Sequence, residues 1–118
     1  MDGSVSWLLE VKVKPGEIGA FKTLIEEMVD TTRREPGTLA YEFSVNDDDT
    51  TVHVHERYAD SAATLEHVKI FGENFAERFV SACQPQSFIV YGTPSQDVKD
   101  ALAGFAPVFM SPLSGFAR

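Results

Sequence analysis

A chain of 118 residues with 43% apolar side chains, nine phenylalanines among them, carries the material for one hydrophobic core and not for two. Its formal charge of −8 repels phosphate backbones and anionic lipid, and no run of Lys or Arg breaks that balance, so nucleic acid is disfavoured as a partner. No stretch approaches the roughly 18 apolar residues of a membrane span, and the start lacks the basic and apolar run of a signal peptide, which predicts no membrane partner and a cytoplasmic location.

From Val5 to Lys14 the residues Trp7, Leu9, Val11 and Val13 alternate with Leu8, Glu10, Lys12 and Lys14, the period of a strand with one apolar face. Pro15 and Gly16 break it. Ile18, Phe21, Leu24, Ile25, Met28 and Thr32 then recur at steps of three and four, which predicts a helix up to Arg34, stopped by Glu35, Pro36 and Gly37. Alternation returns at Leu39, Tyr41, Phe43 and Val45, turns at Asn46 to Asp49, and resumes from Thr51 to Tyr58, so a β-hairpin is expected.

Asp60 is placed to cap a second helix whose stripe Ala63, His67, Phe71, Phe75 and Phe79 keeps a spacing of four, with Gly72 predicting a break into two pieces. After Pro85, Ser87 to Gly92 is apolar on both faces and reads as a strand covered on both sides. The order β-α-β-β-α-β predicts an α+β fold of ferredoxin-like, split β-α-β type: an antiparallel sheet with both helices on one face. The other face then needs a cover.

Ser95 or Asp97 can start a short last helix through Leu102. Phe109, Met110, Leu113 and Phe116 follow in an apolar tail that is not expected to hang in water. No linker or repeat divides the chain, so residues 1–118 read as one domain, with a core over 5–92 and a C-terminal helix and arm over 93–118. The single cysteine, Cys83, reads as a small helix-packing residue.

Val13-Lys-Pro-Gly-Glu, Phe21, Glu35-Pro-Gly-Thr-Leu-Ala-Tyr41-Glu, His55-Glu-Arg-Tyr58-Ala-Asp, Ala63 and His67, in this order and at these separations, resemble the antibiotic biosynthesis monooxygenase family. The resemblance implies a homodimer whose open sheet faces pair into a dimeric α+β barrel. It also implies a cofactor-free oxygenase acting on an electron-rich aromatic, a hydroquinone or polyketide phenol, with O2. The chain departs from the family at Tyr58, where Trp is common; tyrosine keeps an aromatic wall and adds a hydroxyl that can donate a proton.

His67 matches the family's helix histidine, and its stripe points the imidazole toward the sheet, where it can take or orient a phenolic proton near neutrality or can simply be packed and satisfied. Glu56 falls on the apolar side of its strand with Val52, Val54 and Tyr58, so it must find a partner; it serves as proton acceptor or as the anchor of its neighbours. Trp7, Leu9, Tyr41, Phe43, Phe71 and Phe75 are core residues by pattern and the expected lining of any apolar pocket.

On the opposite side, His53, His55 and Arg57 face Glu42, Glu10 and Lys12 as a polar ladder. The His-x-His pair has no third ligand at a sensible spacing, so no metal is expected. No phosphate loop, serine elbow or nucleotide fingerprint occurs, so no cofactor is expected either.

Two other activities share this scaffold, haem degradation and isomerisation of a small signalling sugar phosphate. Leu9 and Tyr58 stand where a haem-degrading relative is expected to show Asn and Trp. A non-catalytic dimer that binds a small apolar molecule is the remaining alternative.

Overall fold

The computed structural model describes residues 3–118. Five strands, β1 (Val5–Val13), β2 (Thr38–Val45), β3 (Thr51–Tyr58), β4 (Cys83–Gly92) and β5 (Val108–Met110), form one sheet in the order β2-β3-β1-β4-β5. The helices are α1 (Ile18–Thr32), α2 (Ser61–Asn74), α3 (Ala76–Ala82) and α4 (Gln96–Leu102), with a 3₁₀ turn at Ala103–Phe105. The first four strands pair antiparallel, β1 between β3 and β4, the arrangement of a ferredoxin-like α+β fold.

The alternation in β1 is realised in its burial: Val5, Trp7, Leu9, Val11 and Val13 are at most 7% exposed, whereas the residues between them are half-buried or exposed. Phe21, Leu24 and Met28 of α1 and Phe79 of α3 join this face, which is therefore the helix-covered one. Its apolar burial is the main source of stability. The other face carries Ser6, Leu8, Glu10 and Lys12 beside His53, His55 and Arg57. His53 bonds Glu10 at 2.8 Å, as the ladder pattern requires, while His55 stands opposite Leu8 on one side and Glu42 on the other.

Asp60 caps α2 by accepting from the Ala63 N–H at 2.8 Å, and Ser95 caps α4 by accepting from Val98. The break in the second helix falls at Phe75, not at Gly72. Gly72 is exposed within α2 and touches nothing a bend would improve, whereas Phe75 leaves helical geometry (φ −130°) and is buried.

β4 also begins four residues before the expected Ser87. Pro85 is tolerated inside it because β1 shifts register between Glu10 and Val11, opposite that stretch, and β5 pairs only with Ile89–Tyr91. Within this one chain β4 is covered on a single face: Phe88 and Val90 are buried, but Tyr91 is exposed. Cys83 is the first residue of β4 rather than a helix residue. Burial outweighs nearby Lys14 and pushes its thiol up to about 12, so it stays protonated and unreactive.

Candidate active site

Four elements bring polar side chains together beneath the sheet. Glu56 and Tyr58 project from β3 on its buried side, Trp7 from the facing position of β1, and His67 from the second turn of α2. Glu35 arrives from the loop that follows α1. That loop is pinned by Glu35 N–H to Thr32 C=O at 2.9 Å and by Ala59 N–H to Gly37 C=O at 2.9 Å. At Gly37 a side chain would meet the Ala63 Cβ at 2.5 Å, so glycine is what lets the loop lie against α2 one turn before His67.

The contacts make a continuous network. The Trp7 indole N–H donates to Glu56 Oε2 at 2.5 Å, and the Tyr58 hydroxyl donates to Glu56 Oε1. His67 Nε2 lies 3.2 Å from the same Oε1, while its Nδ1 lies 2.9 Å from Glu35 Oε1, which also accepts from the Thr38 hydroxyl at 2.9 Å. Tyr58 and Tyr41 rings flank the imidazole at centroid distances of 5.1 and 5.3 Å. His67, Glu35 and Glu56 are each at most 7% exposed, so the two carboxylates and the ring are held out of water.

Burial favours a neutral imidazole, but hydrogen bonding and charge from Glu56, reinforced by Glu35, outweigh it and raise the His67 pKa above its ordinary value near 6.5. With a carboxylate at each nitrogen, the protonated ring can donate on both sides, which is the form the raised pKa favours. The two phenols are raised as well, which for them favours the neutral form. Burial first, then the Glu56 charge, pushes Tyr58 well above the usual value, and Tyr41 rises for the same reasons. Both hydroxyls therefore remain protonated.

A cavity of about 60 Å³ opens beside this network. Glu56 and His67 form its polar end; Trp7, Leu9, Tyr41, Phe43 and Phe71 line it, joined by Val54, Val68, Phe79, Phe88, Leu102 and Phe105. Of the expected pocket residues, Phe75 lies outside the lining, and Phe79 one turn on takes the place beside Phe71. Tyr58 is fully buried behind Glu56 and reaches the cavity only through it.

Glu35 was not singled out for chemistry in the sequence, where it reads as a helix stop 32 residues from His67. The only linear signal was its place in the Glu-Pro-Gly turn. Phe88, Leu102 and Phe105 come from the C-terminal third, where apolar residues carry no clear period. Among the described residues no group of three or more His, Cys, Asp or Glu is arranged to hold a metal ion.

The family model for antibiotic biosynthesis monooxygenase matches residues 5–70. No curated protein matches the chain. Among solved structures, MupZ from Pseudomonas fluorescens superposes with a TM-score of 0.83 at 24% identity, covering 98% of this chain and 94% of that one. Protein SO0527 from Shewanella oneidensis aligns at 25% identity and a TM-score of 0.63 over 76% of this chain and 88% of its own. SnoaB from Streptomyces nogalater, a cofactor-independent oxygenase, shares 14% identity with a TM-score of 0.66 over 80% and 94%. The two structures below 25% identity speak for the fold; the match of the family model over more than half of the sequence shows that this chain belongs to the antibiotic biosynthesis monooxygenase family.

Proposed function

We propose that the protein is a cofactor-independent monooxygenase that oxidises a neutral, electron-rich aromatic such as a hydroquinone or polyketide phenol with O2. The observation that supports this most is a buried carboxylate–imidazolium pair, Glu56 and His67, at the polar end of an otherwise apolar and aromatic cavity. A phenol seated on the aromatic wall places its hydroxyl at Glu56, which takes the proton. The phenolate passes an electron to O2, and the imidazolium stabilises the superoxide anion so formed. The radicals combine to a ring-bound peroxide anion, which takes the proton back from Glu56 and then loses water, with the hydrogen of the attacked ring carbon, to leave the quinone. Exclusion of water strengthens each of these charge interactions.

Tyr58 and Trp7 act through Glu56 by fixing its two oxygens. The cavity is small against the roughly 300 Å³ or more of ordinary ligand sites, so binding requires part of the wall to move. The same dimension counts against haem. No Lys or Arg is among the lining residues, which counts against a phosphorylated sugar.

The test is oxygen uptake by metal-free protein with a panel of hydroquinones and phenols. Tyr58→Phe removes a buried hydrogen bond to a charged group, worth about 1.5–3 kcal/mol, and is expected to lower uptake at least about tenfold. Uptake at the autoxidation rate with every compound would reject the oxygenase. The surviving reading would then be a proton transfer without O2, an isomerisation or an addition on an apolar ligand. One observation favours it: both nitrogens of His67 are held by carboxylates, which suits proton movement whatever the electron acceptor.

The homodimer belongs to the same proposal. Among the described residues nothing covers the sheet face away from the helices, and Val108, Met110, Leu113 and Phe116 of the C-terminal arm are 50–96% exposed. Pairing with a second copy through this face covers both. Sedimentation is expected to show a dimer for the full chain and a weakened one for a chain ended after Gly104; a full-length monomer at micromolar concentration would remove the proposal.

A further inference from the structure

We propose that Glu35 is a positioning residue that keeps the His67 imidazolium in place while Glu56 is neutralised by the substrate's proton. The inference rests on the functional reading above, in which Glu56 takes that proton, and adds a role for a carboxylate that lies behind the ring, away from the cavity.

The argument is one of charge. Before proton transfer the buried cluster holds two carboxylates and one imidazolium, Glu56 on the cavity side of His67 at 3.2 Å and Glu35 on the far side at 2.9 Å. When Glu56 takes a proton, its attraction for the ring disappears. A buried imidazolium without a counter-ion is expelled as a neutral ring, because the low-dielectric surroundings penalise the bare charge. With Glu35 in place the proton moves from the substrate hydroxyl to Glu56, a neutral carboxyl is left, and the Glu35–His67 ion pair persists. The cation thus remains beside the cavity when the substrate anion and its reduced oxygen partner need it.

Among the described residues, the groups that face His67 leave Glu35 as the only other source of negative charge. Tyr58 of β3 and Tyr41 of β2 meet it as neutral rings, and Glu56 of β3 is the group being protonated. Glu35 is also costly in a way packing does not explain. It is 6% exposed, its Oε1 accepts from both His67 and Thr38, and its Oε2 is buried with no hydrogen-bond partner. An uncharged side chain would hold the loop with less desolvation, whereas a counter-ion has to be a carboxylate.

The experiment reads the ring directly. The His67 imidazole is titrated by nitrogen and proton NMR in the unliganded protein, its signals assigned by their loss in His67→Gln. In Glu35→Gln, which retains an acceptor for Nδ1, the His67 midpoint is expected to fall by at least about one pH unit, with Glu35→Asp closer to the native value. For the oxidised substrate, kcat is expected to fall about tenfold to a hundredfold in Glu35→Gln with KM nearly unchanged, and the alkaline limb of the kcat profile to move to lower pH.

A midpoint unmoved in Glu35→Gln, or equal in the Asp and Gln variants, would reduce Glu35 to a loop anchor and overturn the proposal. Should Glu35→Gln not fold, the comparison of Glu35→Asp with Thr38→Val decides it, since only the former displaces the charge: equal midpoints overturn it, and a lower one in Glu35→Asp supports it. The titration needs no turnover, so a chain that shows the midpoint shift but no oxygen uptake refutes the oxygenase reading alone.

Discussion

Glu56→Gln is expected to reduce turnover by about 10² to 10⁴, the range associated with loss of a general base. The amide keeps the shape of the carboxylate, and its oxygen can still accept from Trp7 or Tyr58. Its NH2 group must then face a second donor, because the three groups that converge on Glu56, the Trp7 indole, the Tyr58 hydroxyl and His67 Nε2, all donate. The measurement is kcat for oxygen uptake on the best substrate of the panel, with circular dichroism to confirm the fold. Activity within about threefold of the native chain would transfer the base role to another group, since such a change corresponds to less than about 1 kcal/mol of barrier.

His67→Ala is expected to carry the largest cost in stability, about 3–5 kcal/mol, because it removes the one cation between two buried carboxylates and leaves them uncompensated. The pH dependence has a definite sign. The folded pKa of His67 is raised above its unfolded value, so its contribution is fully present below about pH 6.5 and is lost as pH rises through the folded pKa. The deficit of His67→Ala, measured by urea unfolding, should therefore be greater at pH 6 than at pH 9. A deficit that is small or independent of pH would mean that the ring is packed as a neutral group.

The strands and helices were legible because each keeps one period over enough residues. Trp7 to Val13 at steps of two and Phe21 to Thr32 at steps of three and four state which face is buried, and the buried faces are those. Boundaries were less legible where a residue's usual meaning was overridden. Pro85 reads as a strand breaker, yet a register shift opposite that stretch admits it to β4; Gly72 reads as a helix breaker, yet nothing around it draws the chain out of α2.

The site divides in the same way. His67, Glu56 and the aromatic lining could be named because a polar residue on an apolar face is visible in sequence. Glu35 could not, since its pairing with His67 depends on how closely a loop approaches α2 at Gly37, a distance no periodicity encodes. Tyr58 was placed on the correct face, but its depth behind Glu56 is a matter of tertiary packing.

Trp7 is also an intrinsic optical probe of the site. It is the only tryptophan of the chain, its indole N–H is bonded to Glu56, and its ring lies 5.0 Å from Tyr58 and 5.4 Å from Phe88. Emission excited at the red edge of the protein band therefore comes from a fluorophore in the wall of the cavity, and every photon reports on the group that would accept the proton. A quinone that docks there quenches it at contact range, which makes an unlabelled protein its own optical sensor of occupancy.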